Sequence, residues 1–297
     1  MSIIFGTSGQ GKQLARTTPI QVTGLKAVGE NGGVALSIDP PSEASYAYLK
    51  DYWVTFKKAS EGAILHPYDG QHMVFPKGEA SASGQPLSAL AVGSTLKIAE
   101  NGVPVQFLVL QHVYPNADSA NTLLLRKDLV TQTSNWKNAN SYPLAFVDGP
   151  IDGYLNNDYL SLLGASVKSL IPEITIACTI APDYVSANPT TISRKIFLLS
   201  ATELGGSKNT IPVEGTHIAY FDSDEKRIAT RNSIAADWWT RTPVIRSSAR
   251  AMLITASGLE SDRAPATQLG IRPAFCLPND TLVSEQPDAD GDYTLLA

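Results

Sequence analysis

Apolar and polar residues alternate with a period of two along most of this 297-residue chain. This is the pattern of strands with one face in a core and one toward water. Between residues 18 and 83 the alternating runs are short: Pro19–Thr23, Leu25–Val28, Val34–Ile38, Tyr52–Lys58 and His72–Phe75. Turn formers separate them at Glu30-Asn31-Gly32-Gly33, Asp39-Pro40-Pro41 and Pro76-Lys77-Gly78. Short strands punctuated in this way predict a small all-β sandwich. Thr95–Ile98 and Val105–Leu110 flank a Glu100-Asn101-Gly102 turn and predict a hairpin, whose sheet Asn121–Arg126 extends. From Asp152 the period changes. Leu155, Tyr159, Leu162, Leu163, Val167 and Leu170 share one helical face before Pro172 stops the run. Ser200-Ala201-Thr202-Glu203 has the form of a capping box opening a second short helix.

The densest pattern lies in residues 236–278. Trp238 and Trp239 are adjacent on an extended run and point to opposite faces. Trp239 is expected in the core and Trp238 at a rim. Arg241-Thr242-Pro243 and Arg272-Pro273 each join an arginine to a proline. Proline lacks a backbone donor, so both segments are expected to end at a sheet edge or loop mouth. Ala249–Ala256 reads as a strand closed by Ser257-Gly258. The expectation is three short strands with long polar connections, one of them running from Gly258 to Gly270.

Three motifs in this order carry a resemblance. Tyr154–Leu160 matches L-N-x-x-[FY]-L, Lys195–Glu203 matches K-[VI]-F-L-L-S-x-x-E, and Trp238–Pro243 with Gly270–Ala274 matches W-W-x-R-[ST]-P … G-[IV]-R-P-A. Over residues 95–297 the chain resembles a bacterial and phage domain family with a C-type-lectin-like fold. The resemblance implies an α+β domain with termini in neighbouring strands and variable loops on one face. Residues 18–83 resemble a fibronectin type III or immunoglobulin-like module, with Trp53 as its core tryptophan. The small-residue stretch Ala80–Pro86 marks the boundary. The expected organisation is an arm at 1–17, a β-sandwich at 18–83 and the C-type-lectin-like domain at 84–297. The arm is rich in Gly, Ser, Thr and Gln, so it is expected to be flexible or to order on a neighbouring subunit. Its Gly6–Lys12 run lacks phosphate-loop spacing.

Composition narrows the partners. Hydrophobic content of 43% with only 17% charged residues leaves a surface of Ser, Thr, Asn and Gly. A net charge of −5 without any Lys/Arg run argues against nucleic acid. Cys178 and Cys276 sit in apolar runs and are expected to be buried free thiols. No apolar run approaches a membrane span, and Met1–Phe5 is too short for a signal peptide. The expectation is a product made in the cytoplasm without a secretion signal and without membrane insertion.

Signs of chemistry are sparse. His66, His72, His112 and His217 are scattered, and G-x-S-x-G, H-E-x-x-H and C-x-x-C are missing. No catalytic residue, metal ligand or cofactor is assigned. Gln286-Pro287-Asp288 copies the sugar-choosing tripeptide of calcium-dependent lectins but follows the last core strand, and no W-N-D accompanies it. Asp222–Glu225 and Asp288–Asp292 lack the distal bidentate Glu of a calcium loop and read as solvated acidic turns. Sulfatase-modifying oxidases share a related fold and use a close cysteine pair, whereas Cys178 and Cys276 fall on separate strands of the motif framework.

Arg241 and Arg272 lie inside core motifs, where an arginine needs partners. With Trp239 and Gly270 they are assigned a structural role, direct ligand contact being the alternative. Ligand binding is assigned to Trp238, Arg246, Arg250, Glu260, Asp262, Arg263 and Gln268, with Arg227, Arg231 and Asn232 on neighbouring polar connections. The resulting expectation is a non-enzymatic virion or phage-tail subunit that binds a host-surface glycan or protein. Its partners are other tail subunits, with homo-oligomers inside the assembly. The alternatives are a purely structural decoration or baseplate subunit, an enzyme of the sulfatase-modifying group or a glycan hydrolase, and a bacterial surface adhesin.

Overall fold

The computed structural model describes residues 84–296 except 247, and within residues 1–83 the backbone of four strands. The chain divides into two units, Met1–Ser81 and Ala82–Ala297. In the first, β1 (Lys26–Glu30) pairs antiparallel with β2 (Gly33–Ser37), Glu30 standing opposite Gly33. β3 (Asp51–Val54) pairs antiparallel with β4 (Met73–Pro76), Tyr52 opposite Phe75. The arm, His66, the side chains of Trp53 and His72, and the sandwich as a whole lie outside the described residues.

The second unit is β-rich. It opens with β5 (Gly84–Pro86), β6 (Thr95–Glu100), β7 (Val103–Gln111), β8 (Asn121–Arg126) and β9 (Thr133–Ser134). After a helical segment come β10 (Ile174–Ile180), β11 (Asn188–Arg194) and β12 (Ile196–Phe197). A small hairpin of β13 (Thr230–Arg231) and β14 (Ile234–Ala235) leads to β15 (Trp238–Pro243), β16 (Ala251–Ile254) and β17 (Glu260–Arg263). β18 (Leu269–Gly270), β19 (Ala274–Pro278), β20 (Leu282–Ser284) and β21 (Asp292–Thr294) complete it. Two sheets dominate, a six-stranded one ordered β12-β19-β8-β7-β6-β21 and a five-stranded one ordered β17-β16-β15-β18-β9. The two ends of the unit come together: β20 pairs with β5, and β21 runs parallel to β6.

Burial explains the strand sequences. Thr122–Leu125 of β8 are buried without alternation, as expected of a central strand covered on both faces. All six residues of β15 are buried as well. The segment is an inner strand, with β16 on one side and β18 on the other, and it ends at Pro243, where the connection to β16 begins. Its register with β16 shifts between Trp239 and Pro243. Inside that bulge the Thr240 carbonyl accepts from Trp136 Nε1 at 2.9 Å, and the Arg241 N–H donates to Leu199 at 3.1 Å. The proline sits where pairing resumes. Ile271-Arg272-Pro273 then carries the chain from the five-stranded sheet to the six-stranded one. Gly270 is required by close approach, since a Cβ there would collide with the Leu129 side chain and stand 3.0 Å from the Asp237 carbonyl oxygen.

The single helix expected after Asp152 is interrupted. α1 (Pro150–Tyr154) opens into a π-helical turn (Leu155–Tyr159), then α2 (Leu160–Leu162), an extended Leu163 and α3 (Ala165–Leu170). Two contacts account for this. The Asn156 side-chain amide pairs with both backbone groups of Ile196, at 2.9 and 3.2 Å, and the wide turn brings it there. Leu163 is drawn out of the helix by a bridge to Glu100, supported by Asn101 N–H to Leu162 O at 2.7 Å. The same apolar residues still face inward, Leu155, Tyr159, Leu163 and Val167 being buried. No helix follows Ser200–Glu203 either. The capping box is made, Glu203 N–H to Ser200 Oγ at 3.0 Å and Ser200 N–H to Glu203 Oε2 at 2.8 Å. It closes one isolated turn that ends at Gly205-Gly206.

Gly258 closes the β16–β17 turn at φ 82°, and an added methyl group would collide with the Asp224 carbonyl. Gly258→Ala is expected to cost more than about 2 kcal/mol, the left-handed strain of about 1 kcal/mol plus the clash. The shift of the urea midpoint measures it, and a variant within about 0.5 kcal/mol of wild type would contradict this packing.

Candidate functional site

Arg241 is fully buried, and four hydrogen bonds compensate its guanidinium. Nε donates to the Ala177 carbonyl at 2.9 Å and Nη1 to Leu198 at 2.8 Å, while Nη1 and Nη2 grip the Glu203 carboxylate at 2.7 and 3.0 Å. Glu203 also accepts from Tyr114 Oη at 2.7 Å. Burial works against the charge on Arg241, but Glu203, Tyr114 and Glu214 together outweigh it and the pKa rises overall. Burial and then the neighbouring Glu203 charge push the Tyr114 phenol well up.

A second buried carboxyl, Glu214, lies in the same network. Its Oε2 accepts from the Thr242 hydroxyl, and its carbonyl accepts from Ser200 Oγ at 2.6 Å. Glu214 Oε1 and the Thr179 hydroxyl beside it have no partner of good geometry. Burial pushes the Glu214 carboxyl up to about 7, Arg241, Thr242 and Thr179 pulling the other way. One hydrogen bond between the carboxyl and the Thr179 hydroxyl would satisfy both orphaned oxygens, whichever of the two donates.

Arg272 is buried without a carboxylate. It donates to the carbonyls of Arg126 at 3.0 Å, Arg227 at 3.2 Å and Lys127 at 2.9 Å, and its guanidinium lies 5.1 Å from the Trp238 ring centroid. Burial lowers its pKa to about 10, which leaves it charged at neutral pH. Trp238, expected as an exposed platform, is 0% exposed, and its Nε1 donates to the Arg227 carbonyl at 3.2 Å. The strand that carries it is covered on both faces, so neither tryptophan reaches a rim. Arg227 is likewise spent internally, on Gly258 O, Leu204 O and Asp224.

The remaining candidate residues divide between places. Glu260, Asp262 and Arg263 do not lie in a long loop: Glu260–Arg263 is β17, the edge of the five-stranded sheet, with Arg263 opposite Ala251. Its polar sequence hides it from hydrophobic patterning, and charge is what protects an open edge from pairing. Arg250 meets Asp262 at 2.9 Å, both about a third exposed. Arg246 is exposed, with φ 58°, and its N–H donates to the Tyr184 carbonyl at 2.6 Å. The loops around 184, 210 and 246 are therefore stitched together, Ile245 N–H reaching Thr210 O at 3.0 Å. Tyr184, 54% exposed, joins this face without any sequence signal. Gln268 lies elsewhere. It precedes β18, on the other flank of the sheet, in a loop held by Lys137 N–H to Pro265 O. Arg231 and Asn232 belong to the β13–β14 hairpin.

The Asp288–Asp292 turn is not simply solvated. Lys97 Nζ stands 2.7, 3.1 and 3.1 Å from Asp288, Asp290 and Asp292, and Asp292 is buried. The lysine ammonium occupies the centre of the three carboxylates. Bonds to Asp288, Asp290 and Asp292 raise the Lys97 pKa, and the bond to Lys97 holds the Asp288 carboxyl below its usual range. Cys178, on β10, and Cys276, on β19, are both buried and unpaired. Burial pushes the Cys178 thiol up to about 11 and Cys276 up as well, which disfavours the reactive thiolates.

Residues 119–279, more than half of the chain, match the family described as Domain of unknown function (DUF6273), and the chain belongs to that family. No curated protein and no solved structure matches it.

Arg241→Ala is expected to destabilise the unit by about 3–5 kcal/mol, because Glu203 is left buried without its counter-charge. Glu203→Gln in the same background should recover part of that loss in chemical denaturation, whereas additive losses would mean the two residues act separately. Glu214 holds its proton more tightly folded than unfolded, so its contribution to stability falls as pH rises from about 4.5 to about 7 and is level above that. Glu214→Gln should flatten the profile across this window and gain up to about 3 kcal/mol at pH 8 relative to wild type. Parallel profiles for the two proteins would contradict a raised Glu214 pKa in the folded protein.

Proposed function

We propose that this member of the DUF6273 family is a non-enzymatic recognition module with a C-type-lectin-like scaffold, displayed on a phage or phage-like particle, that attaches to a host-surface polymer. The observation that carries the reading is the separation of two kinds of arginine. Arg241 and Arg272 are buried and committed to carbonyls, Glu203 and Trp238. Arg246, Arg250 and Arg263 stand at the surface, Arg246 joined through its backbone to the exposed Tyr184. A rigid interior supporting exposed planar cations is the arrangement that recognition of a polymer uses. The pairing of strands from the two ends of the unit, β5 with β20 and β6 with β21, and the order of the three sequence motifs support the C-type-lectin-like assignment.

Three arginines against the carboxylates of Glu260 and Asp262 leave this face net positive. An anionic glycan or polymer is therefore the preferred ligand. The exposed Arg250–Asp262 pair is worth less than about 1 kcal/mol, so a bound anionic group can take over Arg250 at little cost. Host attachment, rather than decoration alone, is the role this surface supports best.

Replacing Arg246, Arg250, Asp262 and Arg263 together by alanine is expected to change stability by no more than about 0.5 kcal/mol per site. Attachment to host cells or to an immobilised anionic surface polymer should fall at least about tenfold, a loss of about 1.4 kcal/mol. If attachment is unchanged while the protein still assembles into particles, recognition through this face is wrong and a structural role replaces it.

A further inference from the structure

A second surface feature differs from the arginine face in shape and charge. Between the β13–β14 turn and the Asp288–Asp292 turn lies an open cleft of about 440 Å³, walled by β6, β7 and the segment following β8. Its floor is already paired. Arg126 is spent on Glu100 and on the carbonyls of Asp128 and Leu129. Gln106 donates to Asp292 at 2.6 Å, and Lys97 is enclosed by the three aspartates. Neither cation in the lining is left for a ligand.

The rim, by contrast, is unspent. The Asn232 amide, the Ser233 hydroxyl and the Thr131 hydroxyl make no hydrogen bond among the described residues, and all three residues are exposed. Asp128 accepts from Thr230 through one carboxylate oxygen, which leaves the other open. Asn232 and Ser233 are held at φ 52° and 65° by a two-residue hairpin turn, which fixes the direction of both side chains. A carboxylate oxygen, an amide and two hydroxyls on a prearranged rim form a mixed donor and acceptor set. Such a set matches adjacent ring hydroxyls, each of which donates and accepts.

Electrostatics selects among polar ligands. The lining carries Asp128, Asp290 and Asp292 against Lys97 and Arg126, so phosphate, carboxylate and sulfate groups are repelled. A free metal ion would have to displace the Lys97 ammonium from the aspartates. We propose that this cleft binds a neutral hexopyranose through hydrogen bonds from Asp128, Thr131, Asn232 and Ser233, independently of the arginine face. With no aromatic residue lining the cleft, the ring has no platform to stack on. Binding is therefore weak at one site and gains strength from multiple copies on a repetitive surface polymer.

The test is saturation-transfer NMR on the full chain with methyl glycosides of glucose, galactose and mannose at about 10 mM, alongside glucuronate, since a Kd near about 1 mM is expected. At least one neutral glycoside should receive saturation, and glucuronate should not exceed it. Asn232→Gly keeps the left-handed turn, and Asp128→Asn keeps an acceptor for Thr230. The double variant should weaken binding at least about tenfold with an unchanged circular-dichroism spectrum. Should that variant misfold, Thr131→Val at the exposed rim replaces it and should weaken binding about threefold. The alanine variant of the arginine face should bind the neutral sugar normally, so that failure here and failure of polymer attachment are read separately. The inference is overturned if no neutral glycoside receives saturation, if the cleft variants bind like wild type, or if glucuronate binds better.

Discussion

A guanidinium removed from water must have almost all of its N–H groups satisfied, and it also needs its charge balanced. Arg241 meets both requirements only because four separate pieces of chain arrive at one point. β10 supplies the Ala177 carbonyl, the segment after β12 supplies Leu198, the Ser200–Glu203 turn supplies the carboxylate, and β15 carries the arginine itself. Tyr114 then occupies another lone pair of the same carboxylate. The bulge in β15 belongs to this arrangement. Residues 240–242 leave the backbone ladder with β16: the Thr240 carbonyl turns to Trp136, the Arg241 N–H to Leu199 and the Thr242 hydroxyl to Ala201, and only the Thr240 hydroxyl still reaches β16, at the Met252 carbonyl.

Arg272 meets the same cost in another way. Without an anion nearby, three carbonyl dipoles and the face of Trp238 receive its charge. The carbonyls belong to the β8 exit and to the loop before β13, so Arg272 ties the crossing between the two sheets to the hairpin that borders the cleft. Arg227 links both systems, since its carbonyl accepts from Arg272 and Trp238 while its side chain clasps Gly258 and Leu204. Buried polar networks of this kind hold a fold to one arrangement when every member is satisfied. The Glu214 and Thr179 oxygens are the exception here, which is why protonation is the lever on that network.

Outside this interior the surface carries two fields. The edge strand β17 and its neighbouring loops expose arginines and Tyr184, whereas the cleft beside the Asp288–Asp292 turn is acidic and its cations are already used. Complementary electrostatics mainly decides which partners are admitted and how fast they arrive. On the two proposals above, an anionic polymer backbone and a neutral sugar would not compete for the same groups.

Much of the framework was legible in the chain by itself. The Thr95–Leu110 hairpin, the strand Asn121–Arg126 and the inward residues Leu155, Tyr159, Leu163 and Val167 follow from local periodicity, because side-chain direction repeats every two residues in a strand and about every 3.6 in a helix. The need for Arg241 and Arg272 to find partners was legible too, since desolvation cost depends on residue type and burial. The identity of those partners was not. Glu203 reads locally as a helix cap, and Glu214, Tyr114 and Tyr184 have no local signal, because their roles arise from contacts between residues distant in sequence. Tertiary structure also reversed local expectations. It buried Trp238 by covering β15 on both sides, broke the helix where Asn156 and Leu163 found backbone partners, and made a strand of the polar Glu260–Arg263 by offering it the open edge of β16. Local pattern determines which face of an element is apolar, but whether a second face is also covered depends on what the rest of the chain places against it.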